Sequence, residues 1–418
     1  MSPRPHLWRP YTQMKTAPPP ERVVAAHGVH LHLEDGRTLI DGISSWWTAC
    51  HGHRHPHIVQ AIHRQLDVLP HVMLGGIVHP QAEALARRLA DWCPGDLDHV
   101  FFSESGSVSV EIAMKAAIQV HIHRGERGRT RFVAFRGGYH GDTLGTMSVC
   151  DPEEGMHTLF SGAVARQLIA EVPDTEARRD ALTRAVAAEA HTLAGVIIEP
   201  LVQGAGGMRF FDGEVLRFLR NLCDEHGLLL IADEIMTGFG RLGHRFATES
   251  AGVLPDLMTL SKALTGGTLP LAATIARRPV FDAFWSDDPE QALMHGPTYT
   301  GNALACAAAQ ASLDLFEREP RLEQARHIEA RLREGLAGLR ALAGVVDVRC
   351  RGALGVVQLD RPADRDWWVR QFVDRGVWLR PFGDVVYCAP PLVIDKPELD
   401  RVIDAMVGLT TRWSKQVY

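Results

Sequence analysis

The stretch Leu257-Met258-Thr259-Leu260-Ser261-Lys262-Ala263-Leu264-Thr265-Gly266-Gly267 decides how the chain is read. It runs as a short apolar strand, one lysine, and a turn closed by two glycines. Of 44 lysines and arginines in 418 residues, only five are lysines: Lys15, Lys115, Lys262, Lys396 and Lys415. Arginine is this sequence's default cation. It stays protonated, whereas a desolvated lysine can lose its proton and attack a carbonyl. Lys262, at a strand end beside glycines, is therefore a candidate nucleophile. The competing reading is one more solvated charge, as the patterns around Lys15, Lys396 and Lys415 indicate.

The same unit recurs upstream. Asp98–Ser103 reads as a strand, followed by Glu104-Ser105-Gly106-Ser107 and a helical pattern to about His123. Free N–H groups and the helix dipole at such a start favour an anion, most often phosphate, although serine is also an ordinary N-cap. Arg131–Phe135 is a strand followed by Gly137-Gly138-Tyr139-His140-Gly141-Asp142. Ala194–Ile198 ends in Glu199-Pro200, then Gln203-Gly204-Ala205-Gly206-Gly207. Glu214–Glu225 is a helix stopped by Gly227, and Leu228–Ala232 is an apolar strand ending in Asp233-Glu234. Continuously apolar strands alternating with helices predict an α/β fold with a mostly parallel sheet covered on both faces. Ligands gather at the carboxyl ends of such strands. Ser107, Tyr139, Glu199, Asp233 and Lys262 all lie just past one.

The flanking regions differ in texture. Residues 1–30 are irregular, with Pro18-Pro19-Pro20, and Trp8–Met14 is aromatic for a tail. That arm either packs on the body or brings Tyr11 to a pocket. Val29–Leu33 and Thr38–Ile40 flank an Asp35-Gly36 turn as a hairpin. Trp46 and Trp47 are large enough to wall a pocket or fill a core. From about residue 303 two long helices lead to short strands at 345–350, 354–359 and 385–388, a smaller α+β domain. The expected division is 1–55 as an N-terminal arm and part of the small domain, 56–302 as the large domain, and 303–418 as the C-terminal small domain.

Composition excludes several classes. A net charge of −6 gives no basic face for nucleic acid. Seven scattered cysteines without a C-x-x-C pair suit a reducing compartment and no zinc knuckle. No apolar run approaches the roughly 20 residues of a membrane helix, and the N-terminus has no apolar signal core. A cytoplasmic protein is expected. His51, His53, His55 and His57 leave a metal-dependent protein as a rival, but H-E-x-x-H is absent and no metal is expected.

Asp233 ends a buried strand, and a buried carboxylate needs a partner. A Walker B strand looks similar, yet no lysine follows a glycine as a P-loop requires. Pyridoxal phosphate suits the whole set: Lys262 for its aldehyde, Gly106-Ser107 for its phosphate, Asp233 for its ring nitrogen and Tyr139 for its face. Asp233–Arg241 with Ser261–Gly267 resembles the signature of class III pyridoxal-phosphate aminotransferases, over nearly the whole chain. Further motifs narrow the resemblance to the branch that aminates 8-amino-7-oxononanoate with S-adenosylmethionine in biotin synthesis. They are Trp8–Thr12, Ser45–Trp47, Ser105–Val108, Gly138–Thr143, Val202–Met208, His295-Gly296-Pro297-Thr298 and Gly376–Gly383.

The resemblance implies a fold-type-I homodimer with shared active sites, Lys262, Tyr11 and Asp233 being catalytic. It implies cofactor contacts from Gly106, Ser107, Tyr139, Pro297 and Thr298, with Thr298 reaching the neighbouring subunit's phosphate. It implies a substrate pocket of Tyr11, Trp46, Trp47, Tyr139, Asp142, Lys262, Gly296 and Arg380, with Arg380 on a substrate carboxylate. Lysine-using relatives tend to carry Phe at the position of Tyr11 and one Trp in 45–47. A lysine- or diamine-using ω-aminotransferase is the alternative.

Overall fold

The computed structural model describes residues 5–153 and 157–417. Its centre is a seven-stranded sheet in the order Leu97–Ser103, Ala272–Arg277, Leu257–Leu260, Leu229–Asp233, Leu193–Ile198, Arg131–Phe135, Leu168–Ala170. Every neighbouring pair is parallel except the two made by Ala272–Arg277, which runs antiparallel to both neighbours. Leu193–Ile198 and Leu229–Asp233 are buried at every residue. Successive side chains go to opposite faces. Leu229 and Ile231 pack with Val110, Ala113 and Ala117 of the helix Gly106–His123. Leu230 packs with Leu216 and Leu219 of the helix Gly213–His226 on the other face. Two covered faces explain why these strands read as continuous apolar runs.

Asp233 and Glu234 obey the same alternation. Asp233 faces the strand-end cavity described below. Glu234 faces the back, fully buried, and accepts from Thr237 Oγ1 (2.5 Å), Ala247 N (3.0 Å), Thr248 N (2.8 Å) and Thr248 Oγ1 (3.0 Å). The second carboxylate thus fixes the short helix Ala247–Ala251 instead of doing chemistry.

The two chain ends meet in smaller sheets. His30–Leu33 and Thr38–Asp41 form the expected hairpin, and Val23–His27 adds a strand outside it. Thr38–Asp41 then pairs in parallel with Val377–Trp378. Val345–Arg351, Leu354–Leu359 and Val385–Cys388 form an antiparallel sheet packed under Arg321–Leu336. Element bounds shift from the sequence reading by one or two residues. The helices Pro56–Val68, Glu176–Glu189, Arg365–Val373 and Lys396–Val417 add to it.

The His- and Arg-rich segment after Val120 is less superficial than its composition suggests. His121 is buried, with Nε2 2.9 Å from Ala194 O and Nδ1 2.7 Å from Glu126 Oε2. The four histidines of 51–57 go to separate partners: His51 to Ser312 and Arg321, His53 to Asp41, His55 to Glu319, His57 to Asp314. Among the described residues no three His, Cys, Asp or Glu side chains gather as a metal site, and no helix is long and apolar enough to cross a membrane.

Glu234→Ala strips four donors of their acceptor in a dry interior. Chemical denaturation should report a loss of about 3 kcal/mol or more, whereas Glu234→Gln keeps part of the set and loses less.

Candidate active site

Two cavities open at the carboxyl edge of the sheet and share Trp47, Tyr139, Ala205 and Lys262 in their walls. The inner one measures about 150 Å³ and the outer about 1030 Å³. Lys262 follows its strand in a left-handed backbone conformation, φ 47°. Its side chain is partly accessible and lines both cavities. Burial pulls its amine below the ordinary lysine value, and Asp233 and Glu199 pull it partly back up. The amine lies 4.5 Å from the centre of the Trp47 ring. Gly267, at φ 76°, lets this loop touch the tryptophan segment: a Cβ there would sit 2.9 Å from Thr48 Oγ1 and 3.0 Å from Ala49 N.

Asp233 lines the inner cavity with both oxygens held. His140 Nδ1 is 2.7 Å from Oδ2, and Oδ1 accepts from Ile235 N (3.1 Å) and Thr259 Oγ1 (3.3 Å). Glu199 stands beside it, accepting from Tyr139 N (3.0 Å) and Gly204 N (2.8 Å). Burial raises its carboxyl from 4.5 to about 7, with Asp233 adding to the rise and His140 opposing it. Opposite them the helix Gly106–His123 begins. Ser105 Oγ caps it by accepting from Val108 N (3.3 Å), while Gly106 and Ser107 line the cavity. Capping and an anion-facing helix start therefore coexist on neighbouring residues. Ser107 Oγ accepts from Asp142 N (3.2 Å) and sits where a Cβ on Gly141 would fall 2.0 Å away.

The outer cavity brings the N-terminal arm to this edge. Tyr11 Oη donates to Asp142 Oδ2 (2.5 Å), Tyr139 Oη donates to Asp142 Oδ1 (3.1 Å), and His157 Nε2 is 2.8 Å from Oδ1. Burial and then Asp142 push the Tyr11 hydroxyl up to about 12, and burial pushes Tyr139 up further. Both phenols stay protonated and donate. The arm is not packed throughout, since Trp8 is 84% exposed while Tyr11 turns inward.

Trp46 and Trp47 divide the two roles open to them. Trp47 is 8% exposed, against Lys262; Trp46 is 40% exposed, with Arg380 Cζ 5.6 Å from its ring centre. They sit on four consecutive left-handed residues, Ser44 to Trp47, with φ of 49°, 47°, 59° and 67°. That conformation costs roughly 1–2 kcal/mol per non-glycine residue. Anchors offset it. Ser44 Oγ donates to Ala389 O (2.6 Å), Ser45 Oγ donates to Asp41 Oδ2 (2.7 Å), and His53 Nε2 is 2.9 Å from that same oxygen. Buried Arg241 donates to Pro390 O (2.7 Å) and Ser44 Oγ (3.4 Å).

Arg380 is half-buried on the outer wall, and among the described residues it has no carboxylate partner. Burial first, then Arg365, lowers its guanidinium, which remains a cation. Gly296, Pro297 and Thr298 line neither cavity of their own chain. Their loop is tied down by Lys115, which donates to Met294 O and lies 3.3 Å from His295 Nδ1. Sequence reasoning met Ser45 only as part of a motif and His53 only as part of the histidine cluster, and did not pick out Asp41, His157 or the link from His140 to Asp233. None has a spacing that marks it, because each partner is distant in the chain or belongs to an irregular turn.

The family description "Aminotransferase class-III" matches residues 11–409. The chain belongs to the class-III aminotransferases. It is 46% identical to the adenosylmethionine-8-amino-7-oxononanoate aminotransferase of Mycobacterium leprae (strain TN), over 96% of this chain and 94% of that protein. The enzyme of the same name from Corynebacterium glutamicum is 43% identical, with 96% of each chain covered. Among solved structures it resembles the adenosylmethionine-8-amino-7-oxononanoate aminotransferase of Methanocaldococcus jannaschii DSM 2661, with a TM-score of 0.92, 32% identity and 97% of each chain covered. An amine transaminase from an uncultivated Pseudomonas species, in a PLP-bound form, aligns with a TM-score of 0.90, 32% identity, and 99% and 100% coverage.

This class-III aminotransferase is thus a fold-type-I enzyme dependent on pyridoxal 5′-phosphate. The inner cavity fits that cofactor chemically. One small space joins a desolvated amine, a carboxylate fixed by three groups, an aromatic ring and the start of an 18-residue helix. These match an aldehyde, a ring nitrogen, a ring face and a phosphate.

The raised Glu199 carboxyl makes stability depend on pH. Its folded value lies above its ordinary one, so its contribution is complete below about pH 4.5 and is lost as pH rises through about 7. Glu199→Gln should flatten that part of the melting-temperature profile of the cofactor-free protein, by on the order of 3 kcal/mol across the window.

Proposed function

We propose that this aminotransferase converts 8-amino-7-oxononanoate to 7,8-diaminononanoate with S-adenosylmethionine as donor, a step of biotin synthesis. The observation that carries the reading is that the outer cavity is lined by both Lys262 and Arg380, the latter without a carboxylate partner among the described residues. Such a cavity suits a substrate with a reacting amine or carbonyl at one end and a carboxylate at the other. 8-Amino-7-oxononanoate has that form, its carbonyl lying several methylenes from its carboxylate, and three of the relatives named above are called adenosylmethionine-8-amino-7-oxononanoate aminotransferase.

Gly106 and Ser107 would hold the cofactor's phosphate, Asp233 its ring nitrogen and Tyr139 its face. When bound, the cofactor supplies an electron sink for the carbon that loses a proton. Lys262 Nζ, its affinity for a proton weakened by burial, takes that proton from the amine-bearing carbon of the donor. In the second half-reaction it returns a proton to the carbonyl carbon of the acceptor. Asp233 keeps a negative charge at the inner end, oriented by His140. Asp142 fixes the Tyr11 and Tyr139 hydroxyls, which orient polar atoms of the substrate in the outer cavity. Arg380, stacked over Trp46, pairs with the substrate carboxylate through its two-pronged guanidinium, and Trp47 excludes water beside the reacting atoms.

The same reading includes a homodimer. Leu7, Trp8, Ile77, Trp285, Met294 and Tyr299 are large apolar side chains exposed on one protomer, which a partner subunit would cover. The Gly296-Pro297-Thr298 loop lines neither cavity of its own chain, which supports a role at a partner's cofactor. Seven free buried thiols suit a reducing compartment such as the cytoplasm.

The deciding experiment follows diaminononanoate formation with S-adenosylmethionine or lysine as the only donor. Product with S-adenosylmethionine alone supports the reading; product with lysine alone replaces it with a lysine-using enzyme. Arg380→Ala should raise KM for the oxo acid about tenfold or more while leaving the cofactor's visible absorption in place. An unchanged KM removes Arg380 from carboxylate recognition.

A further inference from the structure

The left-handed segment Ser44–Trp47 lies between the two ends of the substrate cavity and is joined to both. On one side, Gly267 of the lysine loop is in backbone contact with Thr48 and Ala49, the residues that leave the turn. Trp47 then faces the Lys262 amine at 4.5 Å. On the other side, Ile40 and Asp41, just before the turn, pair in register with Val377 and Trp378. Gly42 N donates to Trp378 O (3.1 Å), and the Gly42 backbone packs so closely on Leu379 that a Cβ would meet its Cδ2 at 2.5 Å. Arg380 is the next residue, with its guanidinium over Trp46 at 5.6 Å. One short piece of backbone therefore touches the segments that carry both the reacting end and the carboxylate end of the site.

Four L-residues do not hold that conformation unaided. Ser44 is fixed from outside by Ala389 and Arg241. The Ser45 hydroxyl donates to Asp41 Oδ2, a fully buried carboxylate oxygen that also meets His53, while the Ser45 carbonyl accepts from Thr48 Oγ1 (3.0 Å). Asp41 Oδ1 accepts from Ile43 N (3.3 Å), which closes the loop around the turn.

The geometry points to the Asp41–Ser45 hydrogen bond as a specificity device: by locking the turn left-handed it fixes the separation of Lys262 from Arg380, and with it the chain length of the carboxylate substrate accepted. Ser45 and Asp41 are positioning residues, acting through Trp46 and Trp47, and touch no substrate themselves. The idea rests on the Lys262-to-Arg380 orientation of the substrate proposed above. It adds that length, and not only charge, is read.

The experiment compares kcat/KM for 8-amino-7-oxononanoate with homologues having one methylene fewer or more between carbonyl and carboxylate. The holoenzyme should discriminate about tenfold or more per methylene. Ser45→Ala deletes the hydroxyl and should compress that ratio to about threefold or less, chiefly through a higher KM for the parent acid. The visible absorption of the cofactor on Lys262 should persist. Ser45→Gly deletes the same bond while relieving the left-handed penalty, so it reports on the bond even if the alanine variant folds poorly. Asp41→Asn keeps an acceptor for Ser45 and should retain the discrimination. Equal losses at all three lengths, or an unchanged ratio in both Ser45 variants, overturn the proposal. The same length series run with ω-amino carboxylates as donors, read as bleaching of the visible band, tests the length rule even if the oxononanoate reading fails.

Discussion

An amine kept out of bulk water is the constraint around which this protein is arranged. Lys262 sits where burial weakens its hold on a proton and two carboxylates, Asp233 and Glu199, oppose that weakening. Neither influence can be allowed to win outright. Full desolvation without the carboxylates leaves an amine that cannot hold a proton when one is needed. A tight ion pair leaves one that cannot give it up. The structure avoids a direct pair by spending the oxygens of Asp233 on His140, Ile235 and Thr259, and those of Glu199 on backbone N–H groups. The carboxylates act on the lysine through the field, not through contact.

That arrangement needs several strand ends at one place, which a mostly parallel sheet provides. The strands that carry Asp233, Glu199, Tyr139 and Lys262 lie side by side, with Asp233 in register with Thr259. Glycines then let the loops beyond them approach. A Cβ on Gly206 would lie 1.6 Å from Gly137 O, so the loops carrying Tyr139 and following Glu199 meet backbone to backbone. Gly141 gives Ser107 room in the same way. The glycines the sequence places after each strand end are there for contact between loops, and only some of them for a turn.

The outer wall is built on different terms. Its tryptophans are displayed by backbone that is strained locally and held by side chains from three separate segments: Asp41 and His53, Arg241, and the Ala389-Pro390 carbonyls. A wall made this way is rigid without being thick. It also couples the N-terminal hairpin to the C-terminal strands, so both chain ends contribute to one pocket.

Much of this was written in the sequence. The apolar runs at 193–198 and 229–233 announce a sheet covered on both faces, because a strand buried on both sides has no polar alternate residue to show. The lone lysine before two glycines, the serine-glycine helix start and the aspartate ending a strand were legible for the same reason: each is a local pattern with a chemical cause. Residues whose meaning is a distant partner were not. Ser45 looks like any serine until Asp41 is folded beneath it, His140 looks like a loop residue until it meets Asp233, and the His51–His57 cluster looks like a metal site until folding sends each ring to a different partner. The sequence by itself determined the periodicity, the strand ends and the chemistry carried on them. Only the tertiary structure decided which groups touch and how far apart Lys262 and Arg380 stand, because those distances are set by backbone conformations and long-range contacts that no spacing along the chain encodes.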